Sequence, residues 1–251
     1  MEITINVVRE KIRKKMLYIA TVFGILIAAL FSSDMGSITI GGRDIKDYYI
    51  LVPILINVIN FVAGALALAM SVTTIPGEYE RKTSHLIWSR GIRQSKYHME
   101  LATGSVIVSW ISGAIMYLAL GVFAVINGYG DILFRIVLSI PFMMIYTAII
   151  CMLTSALSIK IPMIFNCAIM ILILVFGAFR SVITLMVSVL TGIGGAFVKR
   201  LILLIPDLSG ISSQAGNLIQ GKAINVHVII TGLFVIWFAG LLIMVVKREE
   251  V

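Results

Sequence analysis

Hydrophobic positions in this chain come as long unbroken runs separated by polar links, and the length of each run decides its reading. A run of about 20 apolar residues spans a bilayer core as a helix. Such runs occupy 16–31, 50–75, 101–126, 133–159 and 226–246, and another covers 161–180 and continues past Arg180 to Val198. Ahead of them, residues 2–15 place Ile5, Val8, Ile12 and then Met16 on one stripe, with Arg9, Arg13 and Lys14 away from it. That period predicts an amphipathic helix lying along a membrane surface before the chain turns in. The first run is short, and Lys14 and Lys15 extend it by reaching back to the headgroups.

The links set the topology. Asp34, Gly41, Gly42, Arg43 and Asp47 return the chain after the first run, Asn127 to Asp131 make a turn after the third, and Lys160-Ile161-Pro162 make a tight turn after the fourth. Pro141 predicts a kink in the fourth run, and Pro162 suits the first position of the fifth helix. Between 163 and 225 two readings stand. One extended helix followed by a half-helix gives six spans, and a tight hairpin around Gly192, Gly194 and Gly195 gives seven. Ala63 with Ala67, Ala65 with Ala69, and Ser105 with Ser109 and Gly113 set small residues four apart, the spacing at which helices in lipid approach closely. These ridges predict that the second and third runs pack together.

Composition agrees with the pattern. The chain is 60% hydrophobic and 13% charged, with a mean hydropathy of +1.06, whereas a soluble domain carries about a quarter charged residues. The expected fold is an all-α polytopic membrane protein. The net charge of +8 raises the question of nucleic acid, but Lys and Arg gather beside the apolar runs and form no single basic face. Anionic lipid and positive-inside topology account for them instead. With six spans and both termini cytoplasmic, 13 of the 20 Lys and Arg residues fall on the inner side and 7 on the outer. Cys151 and Cys167 lie within runs and read as small packing residues. The basic N-terminus leads into the first run without a small-residue cleavage site, so that run is expected to stay.

The longest polar stretch, 77–100, interrupts this pattern between the second and third runs. It holds Arg81, Lys82, Arg90, Arg93 and Lys96 against Glu78, Glu80 and Glu100. Charges at the bilayer centre cost a few kcal/mol each, so the stretch lies in water or at the headgroups. It is either a solvated loop that sets topology or a surface for a soluble partner. Elsewhere the candidate chemistry is sparse. Every Asp and Glu lies outside the cores of the runs, which argues against proton-coupled transport and intramembrane proteolysis. His85, His98 and His227 are scattered without metal-ligand spacing, so no metal is expected. Asn57 and Asn60, one turn apart in the second run, read either as a polar lining for a substrate path or as an interhelical hydrogen-bond pair. Gly216-Asn-Leu-Ile-Gln-Gly221-Lys222-Ala223 matches a phosphate-binding loop for seven positions, but Ala223 replaces the hydroxyl that holds magnesium and no strand precedes it. ATP hydrolysis by this chain alone is therefore not expected.

The polar stretch, Glu78-x-Glu80-Arg81-Lys82-Thr83-x-x-Leu86-Ile87-x-Ser89 followed by Arg93 and Tyr97, resembles the cytoplasmic signature of type-2 ATP-binding cassette (ABC) exporter permeases. That signature has an acidic pair, Gly-Thr, an aliphatic pair, Ser and Pro, then Arg and a later Gly-Lys. Here Lys82 stands for the Gly, Arg90-Gly91 near the Pro, and Met99-Glu100 for Gly-Lys. The basic N-terminus, Pro206-Asp207-Leu208 before the last run and the charged end Lys247-Arg-Glu-Glu match the family layout. The resemblance implies a coupling helix at 77–100 that seats in a separate ATPase subunit, with Leu86, Ile87 and Trp88 as buried anchors. It further implies a second permease subunit across the substrate path, ATP and Mg on the partner and no cofactor in this chain, and the cytoplasmic membrane of a prokaryote. The rival expectation is a non-transporting scaffold or assembly factor that docks a cytosolic partner.

Overall fold

The computed structural model describes residues 2–32, 38–40, 43–45, 48–81, 91–188, 200 and 202–247. Helix α1 (Glu2–Arg13) leads through a turn into α2 (Met16–Ser32). At the turn Lys15 takes φ 59°, a left-handed conformation that non-glycine residues adopt at a cost of about 1 kcal/mol. This residue redirects the chain from one helix axis to the next. A short antiparallel ribbon then pairs Ile38–Ile40 (β1) with Arg43–Ile45 (β2), a small departure from the all-helical expectation. The rest is helical: α3 (Tyr48–Val72), α4 (Thr74–Glu80), α5 (Gln94–Ile126), α6 (Leu133–Ser158), α7 (Met163–Ala178), α8 (Arg180–Ser188), α9 (Leu208–Ile219) and α10 (Val226–Val245).

Among the described residues, four helical stretches are long and apolar enough to cross a membrane: 51–80, 94–126, 130–158 and 226–245. The pair α7 and α8 makes a fifth if its 72° bend is counted within one span, and α2 is apolar but shorter. These helices fit a multi-pass integral membrane protein. Their surfaces agree, since Phe23, Leu118, Phe165, Leu172, Phe234 and Trp237 are all exposed, an arrangement costly in water and natural in lipid. The hairpin alternative turned on Gly192, Gly194 and Gly195, which lie outside the described residues.

Helix α6 is the centre of the bundle and packs against α3, α5, α7, α9 and α10. Pro141 lies within it, and the helix runs through that position. Pro162 is the N-cap of α7 and so precedes its first helical residue. Helices α3 and α5 meet along their small residues, with Cys151 of α6 between Ala67 and Ser109, and just beyond α3 the hydroxyls of Thr74, the first residue of α4, and Ser105 lie 3.0 Å apart. Only one of the two alanine ridges is used. Ala63 and Ala67 are buried, whereas Ala65 is exposed and Ala69 half-buried, because two residues along a helix turn the side chain to the far side. Helix α10 is held mainly by its small and slender residues Gly232, Ala239, Gly240 and Ile243.

Helix α1 docks on a face that the sequence pattern did not show. Val7 and Lys11 are buried, while Ile5 and Ile12 of the expected stripe are 48% and 43% exposed. The docking point is Gly104 of α5: a Cβ there would stand 2.8 Å from Val7 Cβ and 3.2 Å from the Thr4 carbonyl oxygen. Thr4 Oγ1 also donates to the Glu100 carbonyl at 3.2 Å. The apolar stripe is thereby left free to face lipid. Gly104→Leu is expected to push α1 off its seat at an overpacking cost of about 1–3 kcal/mol. Tryptic cleavage after Arg9 and Arg13 should accelerate in that variant. Gly77→Ala, at a position with nothing within 4 Å, should cleave at the wild-type rate.

Candidate functional site

The polar stretch is not a loop at its two ends. Helix α4 continues from α3 after a break at Thr73 and carries Glu78 and Glu80, and α5 begins at Gln94, seven residues before the expected start of its run. The two helical ends are joined by side chains. Tyr97 Oη donates to Glu78 Oε2 at 2.8 Å, and Gln94 Nε2 donates to Tyr79 Oη at 2.9 Å. Tyr79 Oη also hydrogen-bonds with His98 Nε2, 2.7 Å away. Tyr97 and His98 are fully buried. Glu80, Arg81 and Arg93 are exposed, and Arg93 is the N-cap residue of α5. Thr83, Leu86, Ile87, Trp88 and Ser89 lie outside the described residues.

Helix α1 completes this end of the bundle through residues that sequence reasoning passed over. The ammonium of Lys11, 3% exposed, donates to the Met70 carbonyl oxygen at 2.6 Å and to Thr73 Oγ1 at 3.1 Å. Met70 is in the last turn of α3, where carbonyl groups lack helical partners and a cation is favoured. Beside it, Glu10 Oε1 accepts from Arg81 at 2.9 Å and from Lys14 at 2.8 Å. Exposed pairs of that kind contribute about 0.2–1 kcal/mol, so the buried lysine is the stronger tie. Nothing in the pattern of charges separates Lys11 from Arg9, Arg13 or Lys14. Its role follows only once the Thr4, Val7 and Lys11 face is known to point inward.

These contacts lower two titrations, for different reasons. Burial, with repulsion from Lys14 added, pushes Lys11 down to about 8. Burial works against the Glu10 carboxylate, but the hydrogen bonds from Lys14 and Arg81 outweigh it and hold that carboxyl below its ordinary value.

A second polar cluster lies within the bundle. Tyr117 Oη donates to Asn60 Oδ1 at 3.0 Å, Asn60 Nδ2 donates to Ser212 Oγ at 2.8 Å, and Ser212 Oγ donates to Asn57 Oδ1 at 2.6 Å. The two asparagines part company here. Asn60 is fully buried and ties α3 to α5 and α9, whereas Asn57 opens on a cleft of about 280 Å³. The cleft is bounded by Tyr146 of α6, by Phe179 at the bend between α7 and α8, and by Ser209, Ser212 and Ser213 of α9. Helix α9 lies along α3, with Gly216 against Pro53 and its last turn capped by Arg135, which donates to the Ile219 carbonyl at 2.6 Å. At the other end Asp207 Oδ1 caps the helix by accepting from Gly210 N at 2.8 Å. Gly177 permits the approach, because a Cβ there would stand 2.9 Å from Leu208.

The phosphate-loop match resolves into a helix end. Gly216 lies inside α9, Gly221 takes φ 70°, and Lys222 N and Gly221 N donate back to the Asn217 and Leu218 carbonyls. This is the usual glycine-terminated close of a helix. A phosphate loop instead opens one, aiming N–H groups at the anion, so the match is to letters only. Among the described residues, no three His, Cys, Asp or Glu side chains gather for a metal ion.

In comparisons with known proteins, no family model matches the chain and no curated protein matches it.

Lys11 supplies a pH-dependent check on how α1 is held. Its value is about 8 against an ordinary 10.5. Between those pH values the unfolded state binds more protons than the folded one, so this group's contribution to stability rises with pH across the window and is flat below it. The rise is bounded at about 3 kcal/mol. Thermal unfolding of the detergent-solubilised chain from pH 7.5 to 10 should show the wild type gaining relative to Lys11→Met. A constant difference across the window would mean that Lys11 is already fully hydrated.

Proposed function

We propose that this chain is the membrane permease subunit of a type-2 ABC exporter, with six spans and both termini on the cytoplasmic side. It forms half of a substrate path whose movement is driven by ATP and Mg bound to a separate ATPase subunit. The observation that carries the reading is the build of the 77–100 stretch. Its flanks are helical extensions of two long apolar helices, zipped together by Tyr97 with Glu78 and by Tyr79 with Gln94 and His98. A segment held this way passes force into α3 and α5, which a solvated loop does not. Leu86, Ile87 and Trp88, between the two flanks, supply apolar anchors of the kind that dominate docking energies.

The linkage to α1 extends that logic. A push on 77–100 reaches the α3–α4 break at Thr73, where Lys11 is bonded, and Arg81, where Glu10 is bonded. The interfacial helix therefore moves with the docking segment. A second copy of the chain, or a related permease subunit, completes the path.

Co-expression with candidate ATPase subunits, followed by purification and transport assays in vesicles, tests the reading. The ATPase should co-purify. Trp88→Ala should weaken its binding by roughly thirtyfold, or about 2 kcal/mol, with membrane level unchanged. Glu80→Gln should preserve assembly and lower transport per ATP hydrolysed. Association without substrate-dependent transport would favour the scaffold reading. Normal association and transport in both variants would remove the coupling role of the stretch.

A further inference from the structure

The cleft beside Asn57 has a hydrogen-bonding polarity that selects its ligand. The chain from Tyr117 through Asn60 and Ser212 runs in one direction, and it ends on Asn57 Oδ1, which accepts from Ser212. Bonds aligned in sequence polarise one another. The Asn57 amide N–H groups are the donor end of this chain, at a residue exposed to the cleft.

The opposite wall is the complement. Ser209 Oγ donates to Asp207 Oδ1 at 3.0 Å, so in the Ser181 and Ser209 pair, 2.8 Å apart, Ser181 is the donor. Ser213 Oγ gives its proton to the Gly210 carbonyl at 2.7 Å. The protons of Ser181 and Ser213 are thus committed within the protein, and their oxygens offer lone pairs. One wall donates and the other accepts.

That pairing excludes ligand classes. A carboxylate or phosphate accepts only and would set its oxygens against the serine oxygens, with no cation among the lining residues to offset its desolvation. An ammonium donates only and would face the Asn57 amide. A hydroxyl does both. The volume of about 280 Å³ is at the lower edge of small-molecule sites, enough for one ring-sized headgroup and too little for a folded peptide segment. Phe179 at the mouth is 53% exposed, and Leu185 and Met186 beyond the bend are 71% and 68% exposed. An apolar tail leaving the cleft has an apolar surface to follow.

We infer that the cleft between Asn57 and the serines of α8 and α9 binds an uncharged, hydroxyl-rich headgroup, such as a sugar or polyol, either lipid-linked or free. Its standing as cargo rests on the permease reading, but its binding does not.

The test uses the full chain in phosphatidylcholine nanodiscs without any ATPase, so that its failure leaves the permease reading intact and failure of ATPase association leaves this one intact. The probes are monoglucosyl diacylglycerol, diacylglycerol and phosphatidylglycerol of matched chains, and free glucose. Binding is read as a saturable rise in melting temperature together with hydrogen-exchange protection of residues 208–213. Either glucosyl probe should give both signals, and the uncoupled lipids neither. A response to the glucolipid alone identifies a lipid-linked ligand, and one to glucose as well identifies the headgroup as sufficient. Asn57→Leu should weaken binding at least tenfold. Asn57→Asp, which keeps the Ser212 bond but exchanges the donor for an acceptor, should do the same. No response to either glucosyl probe, an equal response to phosphatidylglycerol, or unchanged binding in both variants would overturn the proposal.

Discussion

Polar side chains inside this bundle are satisfied first within their own helices, and the close approach of the helices depends on it. Ser71, Thr74, Ser112, Thr147, Thr154 and Ser158 each return a proton to the carbonyl four residues back. A hydroxyl spent in this way leaves little to satisfy on the surface of its helix and occupies little space there. Small residues then bring α3, α5 and α6 together by shape, as close packing in lipid requires. The polar groups that do cross between helices fix register. Trp110 Nε1 reaches the Met144 carbonyl at 2.9 Å, and Asn166 Nδ2 reaches the Thr154 carbonyl at 3.0 Å and Ser158 Oγ at 2.7 Å.

The sequence was informative wherever one strong term dominated. Hydrophobic length marked the chain as a bundle of long apolar helices, because nothing competes with burying about 20 apolar residues in lipid. It failed at the ends of the polar stretch. There the helices of α4 and the start of α5 persist through charged sequence because Tyr79, Tyr97 and His98 tie them together, and a hydropathy profile does not see such contacts. The docking face of α1 was not legible for a related reason. An amphipathic stripe of Ile5, Val8 and Ile12 shows which side seeks lipid, while the docking side was chosen by a glycine at position 104 and a carbonyl at position 70, both distant in sequence.

The two candidate regions differ in how much of each was legible. For the polar stretch 77–100, residue types and spacing raised the prospect of a partner, and the structure adds the clamp on its first flank formed by α1 through Lys11 and Glu10. For the asparagine pair, sequence offered two roles. Both residues tie α3 to Ser212 of α9, and Asn57 also lines the cleft. A step of three residues separates their settings, since it turns the second side chain by about 300° and carries it one rung deeper. The serines that complete the cleft come from α8 and α9, a region whose apolar pattern alone left its topology open.

The span of those bonds in sequence sets an order of assembly. Thr4 meets Glu100 across 96 residues, and Asn57 meets Ser212 across 155. During synthesis α1 has no seat until α5 has been made, and Asn57 and Asn60 lack Ser212 until α9 emerges. A helix carrying two asparagines is then held in lipid, or beside the insertion machinery, with its polar groups in provisional company. Such late closure is the mark of a high-contact-order chain, slow to commit and exposed to mispairing while it waits. Most of the chain must therefore be present before the asparagine cluster is complete.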